Sequence, residues 1–220
     1  LRTMGINPGG IDEELVDLMQ QAGFTDVDFG AEAMSNIALQ GLGKNFTRED
    51  VFRSAKLLHE RNISLQWTLL IGAPGETEET IQKTIEAVMQ SALPNWDLVD
   101  VGIGIRAYKG APISEHMKAE NENCTDDNFL HPVHYEPSQV NLQKMKILVK
   151  RASFKYPNIF MYDEDETTPA FVLRFGIILL RLFRQEVPVW KLFILLRKIE
   201  MITGVRKVKH WLWEQKIKRS

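Results

Sequence analysis

Three apolar runs, "VDFGAE" (27–32), "ISLQWTLLIG" (63–72) and "LVDVGIGIRAY" (98–108), recur at intervals of roughly 35 residues, with an amphipathic helical pattern between each pair. That interval is the length of a parallel crossover unit, and it restricts the chain to an α/β fold with a parallel sheet, open or closed into a barrel. The intervening helices are well signalled. "FTREDVFRSAKLLHERN" places Thr47 and Asp50 in capping-box spacing, with Val51, Ala55 and Leu58 on one face, which predicts a helix over 48–61. "TEETIQKTIEAVMQSAL" is capped by Thr77 and turns Ile81, Ile85 and Val88 inward. An earlier helix over 12–22 is expected to bury Leu15, Leu18 and Met19 and to stop at Gly23. In both parallel architectures ligands bind at the carboxyl ends of the strands.

Past Tyr108 the pattern changes. Residues 111–137 are rich in Pro, Asn, Asp and Glu and read as a linker with one short helix near 112–120. Residues 138–220 read as a helical extension: one helix started by Ser138, then patterns over 169–184, 188–202 and 205–218, with Pro188 in a first turn and Gly204 as a separator. Residues 1–110 are thus the expected sheet-bearing domain. The chain opens at Leu1 inside what reads as a structural element, so a fragment of a longer protein is expected.

Charge divides the chain in the same way. Residues 1–167 carry 15 basic and 26 acidic side chains, a balance of −11, and residues 168–220 carry 12 and 3, a balance of +9. The basic tail could meet an anionic membrane surface, another anionic partner or the acidic body of the same protein, the last needing no outside ligand. Its most apolar stretch, "AFVLRFGIILLRLF" (170–183), is too short and too charged to span a bilayer. A single cysteine, Cys124, excludes an internal disulfide or a multi-cysteine metal site within this chain, and with no signal peptide in view a cytoplasmic protein, at most peripheral to a membrane, is expected.

Candidate chemistry gathers at the strand ends. In "LLIGAPGETEET", Gly72 and Gly75 would let backbone amides approach a ligand, Pro74 stiffens the turn and Thr77 caps the helix behind it, although an ordinary tight turn uses the same residues. Glu32 ends "VDFGAE" and is either a pocket carboxylate or a solvated one. Lys44, in "LQGLGKNFT", follows twelve residues later, where a plain surface lysine is the alternative. Thr68 shares a strand face with Leu70 and Gly72. His131 and His134 in "HPVHYEP" lack an obvious third partner for a metal, and Pro132 argues against a helix there. Trp190, Trp211 and Trp213 among basic residues fit core packing of short helices better than base stacking or a membrane interface.

The stretch from "VDFGAEAMSNIALQGLGKNFTRED" to "TLLIGAPGETEETIQKTIEAV" resembles the second half of a radical S-adenosylmethionine (radical SAM) barrel, the similarity covering about residues 6–110. "VGIGIRAYKGAPISEHMKAENE" and "LHPVHYEPSQVNLQKMKILVKRASFKYPN" resemble, more weakly, the region after the barrel in the branch often linked to a cobalamin-binding domain. The resemblance implies a partial TIM-like (βα) barrel followed by a C-terminal helical extension. It implies that Glu32 bonds the SAM ribose, Lys44 pairs with the SAM carboxylate, Thr68 faces the ribose, Gly72 and Ala73 line the adenine, and Arg106 and Tyr108 face the same cavity from the end of the sixth strand. It also implies a 4Fe-4S cluster that cleaves SAM reductively to a 5'-deoxyadenosyl radical, with cobalamin-dependent methyl transfer or rearrangement as an option. The chain departs from the family pattern in lacking the CxxxCxxC loop and the glycine-rich motif that holds the SAM amine. Alone it is therefore expected to be inactive, its partners being the N-terminal half of the barrel and a small-molecule substrate of unknown identity, with no nucleic acid. The rival readings are a non-catalytic nucleotide-binding module and a membrane-surface interaction module.

Overall fold

Capped helices set the frame of the computed structural model, which describes residues 2–120, 131, 133–161 and 190–218. In chain order the elements are β1 (Arg2–Ile6), α1 (Glu13–Gln21), β2 (Asp26–Glu32), α2 (Asn36–Gly41), α3 (Arg48–Glu60), β3 (Ser64–Ile71), α4 (Glu78–Ser91) and β4 (Leu98–Ile103). Then follow β5 (Ile105–Ala107), α5 (Pro112–Glu120), β6 (Val133–Tyr135), α6 (Leu142–Lys155), β7 (Ile159–Met161), α7 (Trp190–Ile202) and α8 (Val205–Ile217). Thr47 and Asp50 close a reciprocal capping box on α3, and the bonds from Thr47 hold the Asp50 carboxyl below its usual range. Thr77 and Thr80 do the same for α4, with a threonine in the place of the usual Glu or Gln.

Five strands form one fully parallel sheet in the order β1-β2-β3-β4-β7. Its side chains alternate as the pleat requires. Val27, Phe29, Ala31, Leu65, Trp67, Leu69, Ile71, Val99 and Val101 are buried on one face, where the Phe29 and Trp67 rings meet edge-on at 5.1 Å. Asp28, Gly30, Glu32, Gln66, Thr68, Leu70, Asp100 and Gly102 occupy the other face and are half-buried. One apolar face under helices and one polar face open to a hollow is the cross-section of a parallel barrel wall. At the opposite, amino ends of the strands the buried Asp97 carboxylate accepts bonds from the Leu65 and Leu93 amides (2.9 and 3.0 Å) and from the Trp67 indole (3.0 Å), with His59 Nε2 at 2.8 Å.

Three expectations are corrected. Helix α1 buries Val16 and Met19 rather than Leu15 and Leu18, which are exposed; it lies at the edge of the helical layer, so the buried stripe is narrow. "LVDVGIGIRAY" is not one strand, because Gly104 (φ +82) turns the chain out of the sheet and Ile105–Ala107 pairs antiparallel with Val133–Tyr135. The boundaries at 110 and 137 do not hold as structural divisions either. Residues 111–137 include α5 and β6, and after them α6 packs on α4 and β4 while β7 pairs with β4, so a further helix–strand unit of the sheet lies beyond 137.

The last two helices form a hairpin around Gly204 (φ +78) and dock on this body through specific groups. The buried Trp190 donates its indole N–H to the Trp96 carbonyl at 2.9 Å, and Lys191 Nζ lies 3.5 Å from the Trp96 ring centroid. Arg197 lies over the Phe160 ring at 3.5 Å and donates to the Ile159 carbonyl. The buried Arg206 donates to the carbonyls of Ser153 and Phe154. Of the three tail tryptophans, Trp190 is core, Trp213 packs half-buried against Phe154 and Trp211 is exposed. The 169–184 pattern and Cys124 lie outside the described residues.

Candidate functional site

The carboxyl ends of β2 and β3 carry the polar rim of the hollow. Glu32, the last residue of β2, has a left-handed backbone (φ +60), a conformation that costs a non-glycine residue on the order of 1 kcal/mol. Lys44, after the turn that closes α2, reaches back so that its Nζ lies 2.9 Å from Glu32 Oε1. Both side chains retain access to solvent, at 17% for Glu32 and 30% for Lys44, so the pair is a rim feature open to competition by a ligand. The two residues singled out in sequence are thus brought into direct contact, paired with each other.

Thr68 lies on the polar face of β3 and donates its hydroxyl proton to Asp28 Oδ1 at 2.9 Å on the neighbouring strand. Across the sheet it is in register with Asp100 on β4. An open cleft of about 350 Å³ begins here, lined by Thr68, Leu70, Asp100, Gly102, Gly104 and His134. His134 enters from β6, so the two-stranded sheet forms one margin of the cleft.

The glycine turn after β3 corrects the expectation placed on it. Gly72 (φ +113) does need the conformational freedom of glycine, but its amide is not offered to a ligand. The fully buried Glu76 folds back so that Oε2 accepts from the Gly72 amide at 2.6 Å and the Ala73 amide at 2.9 Å. Burial pushes the Glu76 carboxyl above its ordinary range, against the lowering effect of the two amides, and Oε1 has no partner among the described residues. Ala73 is itself buried. A Cβ placed on Gly41 would lie 2.4 Å from the Pro74 carbonyl oxygen, so α2 and this turn are in backbone contact.

Arg106 and Tyr108 are not where the sequence placed them. They follow the Gly104 break rather than ending a barrel strand; both are exposed, and the Arg106 guanidinium lies 4.8 Å from the Tyr108 ring centroid. His131 is exposed and His134 lines the cleft, and among the described residues no group of three or more metal-ligating side chains is present. Asp28, Glu76 and Asp100 were missed in sequence. The alternation that placed Thr68 on the hollow side also places Asp28 and Asp100 there, so two of the three were within reach of the same argument.

A sequence profile of the radical SAM superfamily matches residues 2–88, the stretch that builds β1 to α4. This part of the chain is similar to the radical SAM superfamily. The chain is 29% identical over 126 residues to a tRNA-2-methylthio-N(6)-dimethylallyladenosine synthase of Desulforamulus reducens, covering 54% of this chain and 28% of that protein. It is 23% identical over 159 residues to the anaerobic magnesium-protoporphyrin IX monomethyl ester cyclase of Cereibacter sphaeroides, covering 66% of this chain and 25% of that one. The chain therefore spans about a quarter of the length of these relatives. In fold it matches the radical S-adenosylmethionine methyltransferase TsrM from Kitasatospora setae, solved with cobalamin and a [4Fe-4S] cluster, with a TM-score of 0.63 and 19% identity over 95% of this chain and 45% of that one. That likeness in fold extends over the sheet and the elements that follow it. No helix among the described residues is long and apolar enough to cross a membrane.

Proposed function

We propose that this chain supplies the SAM-facing wall of a radical SAM enzyme, with Glu32 and Lys44 as the groups that hold the methionine and ribose parts of the cofactor. The observation that carries the reading is the 2.9 Å Glu32–Lys44 pair at the carboxyl ends of the parallel strands, next to a polar hollow. The donor set suits a zwitterion bearing a ribose. A lysine ammonium can pair with a carboxylate, and a carboxylate freed from that lysine can accept from vicinal hydroxyls. Thr68 and Asp28 extend the same polar rim toward the cleft. The amides of Gly72 and Ala73 are committed to Glu76, so they contribute shape rather than donors.

A 4Fe-4S cluster does not fit these 220 residues, since one cysteine cannot supply three thiolates. The cluster ligands would come from other polypeptide, and SAM bound with such a cluster would supply radical chemistry. The roles left to this chain are to orient the cofactor through a charged contact and to keep water from the cleft. A cobalamin and a methyl-transfer reaction remain part of the proposal through the likeness to TsrM, while the substrate's class is set by the cleft that His134 and Asp100 line. On the intact enzyme, Lys44→Ala and Glu32→Ala should each raise the Kd for SAM by roughly 10- to 100-fold, the worth of one charge-assisted bond. Isothermal titration with SAM checks this, and unchanged affinity in both variants would remove the assignment.

A further inference from the structure

The C-terminal hairpin shows its apolar side to solvent. On α7, Trp190, Ile194 and Arg197 face the body, and Leu195, Ile199 and Ile202 lie on the opposite side, the last 85% exposed. On α8, Arg206 faces the body, and Val208, Trp211 and Leu212 turn outward, Trp211 61% exposed. The two helices pack against each other as a hairpin, α7 also reaching β4 and Phe160 of β7 and α8 reaching α6, and both turn these apolar side chains away from the body. Large contiguous apolar exposure of this kind marks an interaction site.

The charge around the stripe identifies what it meets. Residues 190–218 hold eight basic and two acidic side chains, and both acids are engaged: Glu200 with Arg206 and Lys209, Glu214 with Arg151 and His210. Lys207, Lys216 and Lys218 are exposed and carry no ion pair among the described residues. An apolar stripe with an aromatic residue, edged by unpaired lysines, is complementary to an anionic lipid surface. Acyl chains take the stripe and headgroup phosphates take the lysines. A nucleic acid would leave the aliphatic side chains without partners, and a second copy of the hairpin would set like charges against each other.

We propose that the outer face of the α7–α8 hairpin docks this protein on an anionic membrane surface, lying in the interface without crossing it. The test needs no cofactor, so its failure leaves the SAM reading standing. Sedimentation of the full chain with phosphatidylglycerol–phosphatidylcholine vesicles should show binding that is weakened by salt and nearly absent on phosphatidylcholine alone, with a blue shift of indole emission that Trp211→Phe removes. A Lys207→Glu, Lys216→Glu, Lys218→Glu variant should bind on the order of a hundredfold more weakly. Ile202→Asp should also lose binding, at an exposed site where circular dichroism should show the fold intact. Equal binding to both vesicle types would overturn the proposal, as would binding to neither. So would a concentration-dependent dimer that Ile202→Asp dissolves while vesicles stay unbound, which would assign the face to a second copy.

Discussion

Glu76 is a buried carboxyl whose one oxygen holds two amides and whose other oxygen holds nothing among the described residues. Burial raises its pKa, so the folded state favours the protonated form. The stability it lends is therefore complete below the ordinary glutamate range, near pH 4.3, and is lost as pH rises through the raised value. Removing the group removes that slope. In urea titrations the stability of wild type minus that of Glu76→Gln should be largest near pH 4 and fall toward pH 8. Glu76→Ala, which strands both amides, should cost about 2–4 kcal/mol near pH 4, the cost shrinking toward pH 8 with the same slope. This residue was hidden in sequence because it opens an acid-rich run with Glu78 and Glu79, which read as a solvated first turn. Which of three nearby carboxylates folds inward depends on the φ of Gly72 and Gly75, a backbone choice that composition does not encode. Glu32 and Lys44 were legible as residues, yet their mutual pairing was not, since it depends on where the turn after α2 delivers the lysine.

At the level of elements, the rim is built by α2 pressed on the turn after β3. Gly41→Ala would place a methyl 2.4 Å from the Pro74 carbonyl, where backbone cannot give cheaply. The expected cost is about 1–3 kcal/mol, read as a lowered urea midpoint, together with weakened SAM binding by the intact enzyme as the rim shifts. The helices themselves were legible almost to the residue: 48–61 expected, Arg48–Glu60 found, because capping residues and period-3.6 burial are local signals. The β5–β6 pair was not. Arg106 is opposite His134 only because one glycine at φ +82 redirects the chain and a partner strand returns 28 residues later. Antiparallel pairing across such a distance leaves no mark in a window of ten residues.

Taken as one molecule, the protein is a five-stranded parallel wall with an acidic body and a basic helical hairpin clasped to its far end. Intramolecular docking of that hairpin was one expected use of the basic tail; it rests less on general attraction than on arginines donating to carbonyls and on Lys191 over Trp96. Trp190→Ala should loosen the clasp by about 3–5 kcal/mol. Hydrogen exchange should then speed up throughout α7 and α8 and stay slow in β2, β3 and β4. The division at 137 failed at this scale because β7 is three residues long, too short to show a period.

The departure of the chain at Gly104 and its return as β7 beside β4 carries a consequence for how this protein can vary. The described elements β5, α5 and β6 lie off the wall, between its strands β4 and β7, and the free energy of closing such a detour grows only with the logarithm of its length. The margin of the cleft that carries His134 can be lengthened, shortened or exchanged while the strands of the wall keep their register. A change of ligand could be accommodated there alone, leaving the Glu32–Lys44 rim as it stands.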